Sequence, residues 1–356
     1  MDEEFRVRKE YDGAPGAAVP WGPELRRRAR AVFSRLGVGV AVILLAASAV
    51  QVGLVYLLDA AAPAWRSWPP RMWVLAFAPL YLVAVPLGLL IARRAPASAP
   101  ERRPMKAGRY LCIVLICVFM MEAGNLAGIA VQGLLESVIG VEPVNPIETF
   151  ATDESLALRL VFLVVLAPLI EEFIFRKTLI DRMRPYGEKL AVVTSAAMFG
   201  LFHGNLAQMF YAFSLGLVFG YVYLRTGRLR CTVVLHMLIN LVGGVLSAEL
   251  VQWAGPGLGK LSELSEMGPA ELMQGGMAEL SAILTPGVIA FGIYAVTLLL
   301  CAAAGLVLLI IKARRVYFEP TPLELPRGKR FSTVWLNAGM LLFVAVCLFS
   351  VVNTDL

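Results

Sequence analysis

Charged residues are scarce in this chain of 356 residues. They make up 16% of the sequence, whereas a soluble domain carries about 25%. This scarcity excludes an ordinary soluble protein. The 58% share of hydrophobic residues predicts several membrane-spanning helices, each of which needs roughly 20 mostly apolar residues. The net charge of +6 is spread over many short loops without interleaved aromatic residues, so we do not expect nucleic-acid binding.

Cysteine and histidine are also rare. The five cysteines lie in apolar runs or at the start of one and lack zinc-finger spacing, so we interpret them as small buried hydrophobic residues. Histidine occurs only twice, at His203 and His236, and both positions fall inside apolar segments. Two histidines at membrane depth indicate a specific use for them.

The apolar segments predict an all-α fold, a polytopic bundle of about nine transmembrane helices. The first apolar run starts near Gly37, too late and too long for a cleaved signal peptide, so we expect this helix to remain in the mature protein. The pairs Gly124/Gly128 and Gly216/Gly220 have the spacing of close helix contacts, which we attribute to packing within the bundle. The predicted helices span residues 37–58, 72–92, 110–135, 156–182, 190–204, 207–224, 232–248, 285–311 and 333–351.

Basic residues are concentrated in alternate loops. The 136–155 loop has no basic residue, and the 249–284 loop has one lysine against five glutamates. Since basic loops stay in the cytosol, we expect a cytosolic N-terminus and an outer C-terminus. Within the outer loop, residues 268–284 look amphipathic, and we favour a solvated connector over an interfacial helix or a lid. The basic segments are the N-terminal tail, 92–109, 176–189, 225–230 and the stretch after the eighth helix.

Two adjacent glutamates and an arginine interrupt the fourth apolar segment. Ionisable groups inside a bilayer cost about 2.5–3.5 kcal/mol on insertion scales and usually face the bundle interior. Glu172 and Arg176 are four residues apart with the glutamate first, the favourable order for a helical ion pair. Glu171 points about 100° away and has no charge partner on its helix, which favours it as a general base. Alternatively, Arg176 anchors the helix at the cytosolic interface.

Each histidine belongs to a pair with helical spacing. Phe199 precedes His203 by four residues, and His236 precedes Asn240 by four, so each pair projects from one helix face. The three motifs, EEFIFR at 171–176, FGLFH at 199–203 and HMLIN at 236–240, resemble the CAAX prenyl endopeptidase family. This is the CPBP group of intramembrane glutamic proteases, which includes bacterial abortive-infection relatives. The resemblance covers residues from about 156 to 247, and no motif position departs from the pattern.

The resemblance implies an endopeptidase that works without a metal or another cofactor. Glu171 and His203 would activate a water molecule, and His236 and Asn240 would donate hydrogen bonds to the oxyanion. Glu122 and Asn125 lie outside the motifs, and we interpret them as a structural polar contact. The supporting residues would be Glu172, Arg176 and Phe199.

Other functions fit the same residues. Glu171, His203 and His236 are a possible His₂Glu zinc set, although the chain has no HExxH motif. Intramembrane charges also mark the proton pathways of transporters, although no inverted repeat is evident. A catalytically idle scaffold is a further alternative, but every motif residue is present.

On the endopeptidase interpretation, four helices form the catalytic core and the partners are a peptide or membrane-protein substrate and the lipid bilayer. The Ala- and Arg-rich composition suggests a bacterial inner membrane. His236 would lie ~8 Å and His203 ~20 Å from their cytosolic helix ends, so we expect helix tilt or an inward dip of the 225–231 loop. The predicted parts are a cytosolic basic tail (1–36), N-terminal transmembrane helices (37–150), the catalytic core (151–250), and an outer loop with C-terminal transmembrane helices (251–356).

The charge alternation can be tested with topology reporters. We expect six fusions to report inside, outside, inside, inside, outside and outside, in chain order, because basic loops resist translocation. A cytosolic signal from the fusion in the 249–284 loop would contradict the predicted helix count around the motifs. The fusion sites are Arg94, Pro143, Tyr186, Arg228, Pro256 and Leu356.

Overall fold

A computed structural model describes residues 21–140, 155–265 and 283–355. This part of the chain is helical and contains no strand. Most of the 136–155 loop and of the amphipathic 268–284 segment lies outside the described residues. The helices are α1 (Pro23–Ala61), α2 (Arg71–Ala92), α3 (Ala107–Ile139), α4 (156–183), α5 (Glu188–Phe202), α6 (Leu206–Thr226), α7 (229–265), α8 (Pro286–Ala313), α9 (Arg330–Val334) and α10 (Ala338–Asp355).

The polytopic helical bundle is confirmed. Among the described residues, six helices are long and apolar enough to cross a membrane, or seven if α9 and α10, which meet at 65°, form one span. Helix occupies all nine predicted regions, but α5 has only 15 residues, and α4 carries Glu171, Glu172 and Arg176 within its apolar run. These two helices are not among the six.

The first helix is longer than predicted. It begins at Pro23 rather than near Gly37 and runs for 39 residues, about 58 Å at 1.5 Å per residue. The hydrocarbon core of a bilayer is about 30 Å thick, so the basic residues at 26–30 belong to a helical extension instead of an irregular tail. Proline in the first turn suits this start, because its missing N–H has no partner there.

Two of the predicted core helices change their winding. In α4, π-helical segments at Leu160–Leu166 and Phe173–Ile180 flank the α-helical piece Ala167–Glu172, which carries both glutamates. In α7, a π-helical segment begins at Asn240 and ends at Leu246. Such turns are frequent at functional sites. Here the first segment of α4 and that of α7 pack against each other.

Small residues let the core helices approach closely. A Cβ at Gly216 of α6 would lie 2.9 Å from Ala196 Cα of α5, and a Cβ at Gly124 of α3 would overlap the backbone of Tyr211 on α6. These glycines therefore pack within the chain, as the spacing predicted. The contacts fix α5 and α6 as an antiparallel hairpin that α3 covers on one side.

The linkers predicted to be cytosolic meet at one end of the bundle. The Ser98 N–H donates to Asp181 O (2.6 Å), the Arg103 N–H to Thr226 O (2.9 Å), and the Leu325 N–H to Tyr186 O (3.0 Å). Residues 100–101 lie directly over Gly227, so the α6–α7 turn is covered.

The opposite end of the bundle is joined by a different contact. Arg159 at the start of α4 forms an ion pair with Glu249 of α7, and the arginine side chain is only 3% exposed. The start of α4 and the middle of α7, which the charge pattern predicts to lie on the outer side, are therefore in contact.

A glycine substitution tests the α5–α6 contact. Gly216→Ala should lower the stability of the protein by about 1–3 kcal/mol, because the added methyl group meets backbone rather than a movable side chain. Gly292→Ala on α8 is the matched control, since nothing lies within 4 Å of a Cβ there. Thermal melts in detergent compare them. Equal melting temperatures for the two variants would contradict the close packing.

Candidate active site

A buried ion pair lies at the centre of the candidate site. Arg176 donates from Nε to Glu172 Oε2 (3.0 Å) and from Nη2 to Glu172 Oε1 (3.2 Å). Both side chains are fully buried, so Arg176 is not an anchor at the membrane surface. Its guanidinium group also lies 4.9 Å from the ring centroid of Phe199 and 5.7 Å from that of Phe219. The pair predicted from the i, i+4 spacing is thus part of the protein core.

The ring of His236 lies between the two glutamates. Its Nδ1 is 3.2 Å from Glu172 Oε1, and its Nε2 is 3.7 Å from Glu171 Oε2. Since Glu172 is held by an arginine and only accepts, Nδ1 carries the hydrogen. Phe199 and Phe219 enclose the imidazole, with ring centroids 5.7 and 5.3 Å away. The histidine of α7 is therefore fixed in both position and orientation.

Glu171 has a more open environment than Glu172. Its side chain is 20% exposed, whereas that of Glu172 is fully buried. Its charge acts on Tyr81 of α2, His203 of α5 and Tyr211 of α6. Side chains of α2, α5 and α6, together with His236 of α7, thus surround this one carboxylate, which the packing leaves partly accessible.

His203 ends α5 in a tight turn. Its Nδ1 lies 2.8 Å from Phe199 O, and because a carbonyl only accepts, Nδ1 donates and Nε2 is left as an acceptor in the neutral ring. Gly204 follows with a φ of +64°, which glycine adopts without strain. Asn205 then caps α6 by accepting from the Gln208 N–H at 2.9 Å. The turn sequence therefore fixes where the imidazole lies.

Asn240 binds across to α4. Its Nδ2 donates to Leu163 O (2.9 Å), a carbonyl in the first π-helical segment of α4. An amide nitrogen carries two hydrogens, so one remains for another acceptor. Asn240 lies one turn after His236 on α7, and the bond to Leu163 holds its side chain in a defined direction.

Five of the seven predicted site residues form a connected set of side-chain contacts, and the other two are linked to this cluster indirectly. The cluster consists of Glu171, Glu172, Arg176, Phe199 and His236. His203 joins through the ring of Phe199, whose centroid is 5.0 Å from that of His203, and Asn240 joins through α4.

Glu122 lies apart from the cluster. Its charge acts on Tyr294 of α8, whose hydroxyl donates to Val242 O at 2.9 Å. This places Glu122 beside a contact between α7 and α8, and its structural role stays a prediction.

The sequence motifs did not identify two residues that touch the cluster. Phe219 of α6 packs on both Arg176 and His236. Ser195 of α5 hydrogen bonds to Arg176. Ser195 could have been found from its position four residues before Phe199, which places both on one helix face. Nothing in the sequence distinguished Phe219 from other apolar residues.

Zinc ligation was an alternative use of these side chains. Within residues 21–140, 155–265 and 283–355, no group of three or more His, Cys, Asp or Glu side chains has a geometry that could hold a metal ion. The set of Glu171, His203 and His236 is therefore not arranged as ligands in this conformation.

The fold and the site define an integral membrane protein with an acidic and histidine cluster inside its helical core. Residues 153–242 match the family model described as type II CAAX prenyl endopeptidase Rce1-like, and this segment contains all seven predicted site residues. A curated relative, "Putative membrane peptidase YdiL" of Bacillus subtilis (strain 168), is 24% identical over 182 residues, which cover 48% of this chain and 71% of the relative. No solved structure matches the chain significantly.

Through this segment the chain is similar to the CAAX protease family, which is the resemblance that the three motifs predicted. This similarity supports a membrane peptidase. The three motifs and the matched segment coincide, so the family resemblance and the side-chain cluster concern the same helices.

Replacing Glu172 tests how strongly the core depends on the ion pair. Glu172→Gln should lower stability by about 3–5 kcal/mol, because removing one partner leaves the arginine charge buried. Glu263→Gln is the control, since its pair with Lys260 is solvent-exposed and such pairs contribute little. Thermal melts of both purified variants decide the point, and similar melting temperatures would argue against a buried charge at Arg176.

Proposed function

We propose that this protein is a membrane-embedded glutamic endopeptidase in which Glu171 and His203 activate the attacking water. The supporting observation is the contrast between two neighbouring carboxylates. Glu172 is fully buried and held by Arg176 and His236, whereas Glu171 is partly exposed and its nearest ion-pair partner is His236 Nε2 at 3.7 Å. A general base must be reachable by the water that it deprotonates, and Glu171 meets this condition.

The reaction begins with a water molecule between Glu171 and Nε2 of His203. Glu171 accepts a proton from the water while the oxygen attacks the carbonyl carbon of the scissile peptide bond. The C–N bond then breaks as the proton passes to the departing amine nitrogen. His203 contributes by accepting a hydrogen bond from the water, because its Nδ1 donates to Phe199 O and leaves Nε2 as the acceptor.

His236 and Asn240 stabilise the oxyanion in this proposal. His236 donates from Nε2 only when the ring is protonated, because Nδ1 already donates to Glu172. Its Nε2 lies on the side of the ring that faces Glu171, 3.7 Å from Oε2. Asn240 supplies its second amide hydrogen, while the first holds Leu163 O. One such donor is typically worth about 10²–10³ in rate.

The location and substrate follow from the same proposal. The basic loops favour a cytosolic N-terminus, and a bacterial inner membrane suits the composition. The substrate is a peptide or a membrane protein that reaches Glu171 within the helical core (residues 151–250). The matched family model is described as a CAAX prenyl endopeptidase, so peptides with and without a prenyl group are the two substrate classes to compare.

Glu171→Gln and His203→Ala should each abolish cleavage, and the double variant should be no worse than either alone. The reason is that residues acting on one water molecule form a unit, so their effects do not add. Asn240→Ala should retain a residual rate, lower by about 10²–10³-fold. The measurement is the appearance of new peptide N-termini in membranes that contain each variant, compared with membranes lacking the protein. Substrates identified in this way then give rates with purified protein.

Two outcomes would contradict the proposal. Normal cleavage by Glu171→Gln together with an inactive but folded Glu172→Gln would reverse the assignment of the base. Loss of activity on chelator dialysis, with recovery on adding zinc, would replace the glutamic mechanism with a metal-dependent one. As a control for folding, each variant is tested by thermal melting before its activity is compared.

A further inference from the structure

Three side chains follow one another along a single face of α5. Ser195, Phe199 and His203 are spaced four residues apart, so they project from the same side of the helix. Phe199 packs on Arg176 of α4 and on the ring of His203, as described above. Ser195 is the third member of this face, it is fully buried, and the proposed reaction gives it no role.

The hydroxyl group of Ser195 makes two hydrogen bonds to α4. It donates to Phe175 O (2.7 Å), a carbonyl in the second π-helical segment, and it accepts from Nη1 of Arg176 (3.1 Å). Both partners are adjacent in the chain, and both lie one turn after the glutamates. Ser195 is therefore a direct polar connection between the helix of His203 and the helix of Glu171.

Ser195 also binds the guanidinium nitrogen of Arg176 that does not contact Glu172. The guanidinium group uses Nε and Nη2 for Glu172 and Nη1 for Ser195. Glu172 in turn receives the hydrogen of His236 Nδ1. A continuous series of polar contacts thus runs from α5 through α4 to α7, and it ends at the imidazole that faces Glu171.

We propose that Ser195 is a positioning residue that sets the placement of His203 and the orientation of His236 relative to Glu171. This inference rests on the proposed function, because it concerns the geometry of that reaction. The physical reason is the helix arrangement: the hydroxyl fixes α5 against α4 at one point, and His203 lies two turns further along the same face. A small shift at Ser195 therefore displaces the imidazole that must share a water molecule with Glu171.

A matched hydroxyl elsewhere in the core provides the control. Thr226 at the end of α6 is buried, donates to Val222 O (2.7 Å) and accepts from the Arg228 N–H (3.3 Å). These contacts join no two of the helices that carry the proposed catalytic groups. Thr226→Val and Ser195→Ala each delete one buried hydroxyl group with little change in shape. Thr226→Val should affect only the stability of the protein, whereas Ser195→Ala should affect both its stability and the position of the histidines.

The experiment measures kcat, KM and thermal stability for Ser195→Ala, Ser195→Thr, Thr226→Val and the unmodified protein. Ser195→Ala should lower kcat by about tenfold, the effect of losing a hydrogen bond of about 1.4 kcal/mol to a charged group in the aligned site. Its KM should stay within about twofold, since a positioning defect acts on the reacting geometry. Ser195→Thr retains the hydroxyl and should recover most of the rate, and Thr226→Val should keep the unmodified kcat.

A double substitution separates positioning from general weakening of the core. In the Glu172→Gln background, Ser195→Ala should cost clearly less than tenfold, because the series of contacts to His236 is already broken and coupled residues are not additive. Full additivity, or an unchanged kcat in Ser195→Ala, would overturn the inference. If Ser195→Ala does not fold, Ser195→Cys replaces it, since a thiol is a weak donor and acceptor, and the same kcat loss is expected.

The two histidines allow a test that does not depend on cleavage. Protein labelled with ¹⁵N-histidine gives signals from His203 and His236 alone, and these report which ring nitrogens carry hydrogen. Ser195→Ala should shift both sets of signals, whereas Thr226→Val should leave them in place. Unchanged signals in Ser195→Ala would overturn the positioning role even if the protein is an active peptidase. A failure of the proposed function would show differently: the unmodified protein and Glu171→Gln would then give the same cleavage products.

Discussion

The ion pair between Glu172 and Arg176 is the interaction on which the rest of the site depends. A charged pair removed from water is stable only when its geometry is good and its remaining hydrogen-bonding groups have partners. Here the arginine finds them in Glu172, Ser195 and the faces of two aromatic rings, and the glutamate finds one more in His236. Satisfying one buried arginine thus brings residues from α4, α5, α6 and α7 together, and these four helices form the candidate active site.

Adjacent carboxylates gain different properties from this arrangement. Glu172 is committed to two partners, and its neighbour Glu171, about 100° around the helix, lies where the packing leaves space. The division of roles follows from the winding of a single helix turn. Two residues of the same type thus differ in their surroundings, and the carboxylate with fewer partners, Glu171, is the more accessible one.

The local spacing of residues predicted much of this site. The i, i+4 relations of Glu172 with Arg176 and of Phe199 with His203 depend only on helical geometry, so they were visible in the sequence. The bond from Asn240 to Leu163 and the contact of Phe219 with His236 join residues far apart in the chain, and local patterns carry no information on them. The early start of α1 was missed because its arginines suggested a loop, although arginine is a good helix former.

A π-helical segment of α4 separates the N-terminal end of this helix from the two glutamates, and the chemistry of the residues does not reveal its effect. A turn closed by i→i+5 hydrogen bonds holds more residues than an α-helical turn, so it changes the angle between side chains on either side of it. Arg159, which pairs with Glu249, and the glutamates near the middle of α4 lie on opposite sides of such a segment. The length of Leu160–Leu166 therefore sets the rotation of Glu171 about the helix axis. One residue more or fewer in this segment would turn the carboxylate away from its present neighbours, although every surrounding residue type would be unchanged.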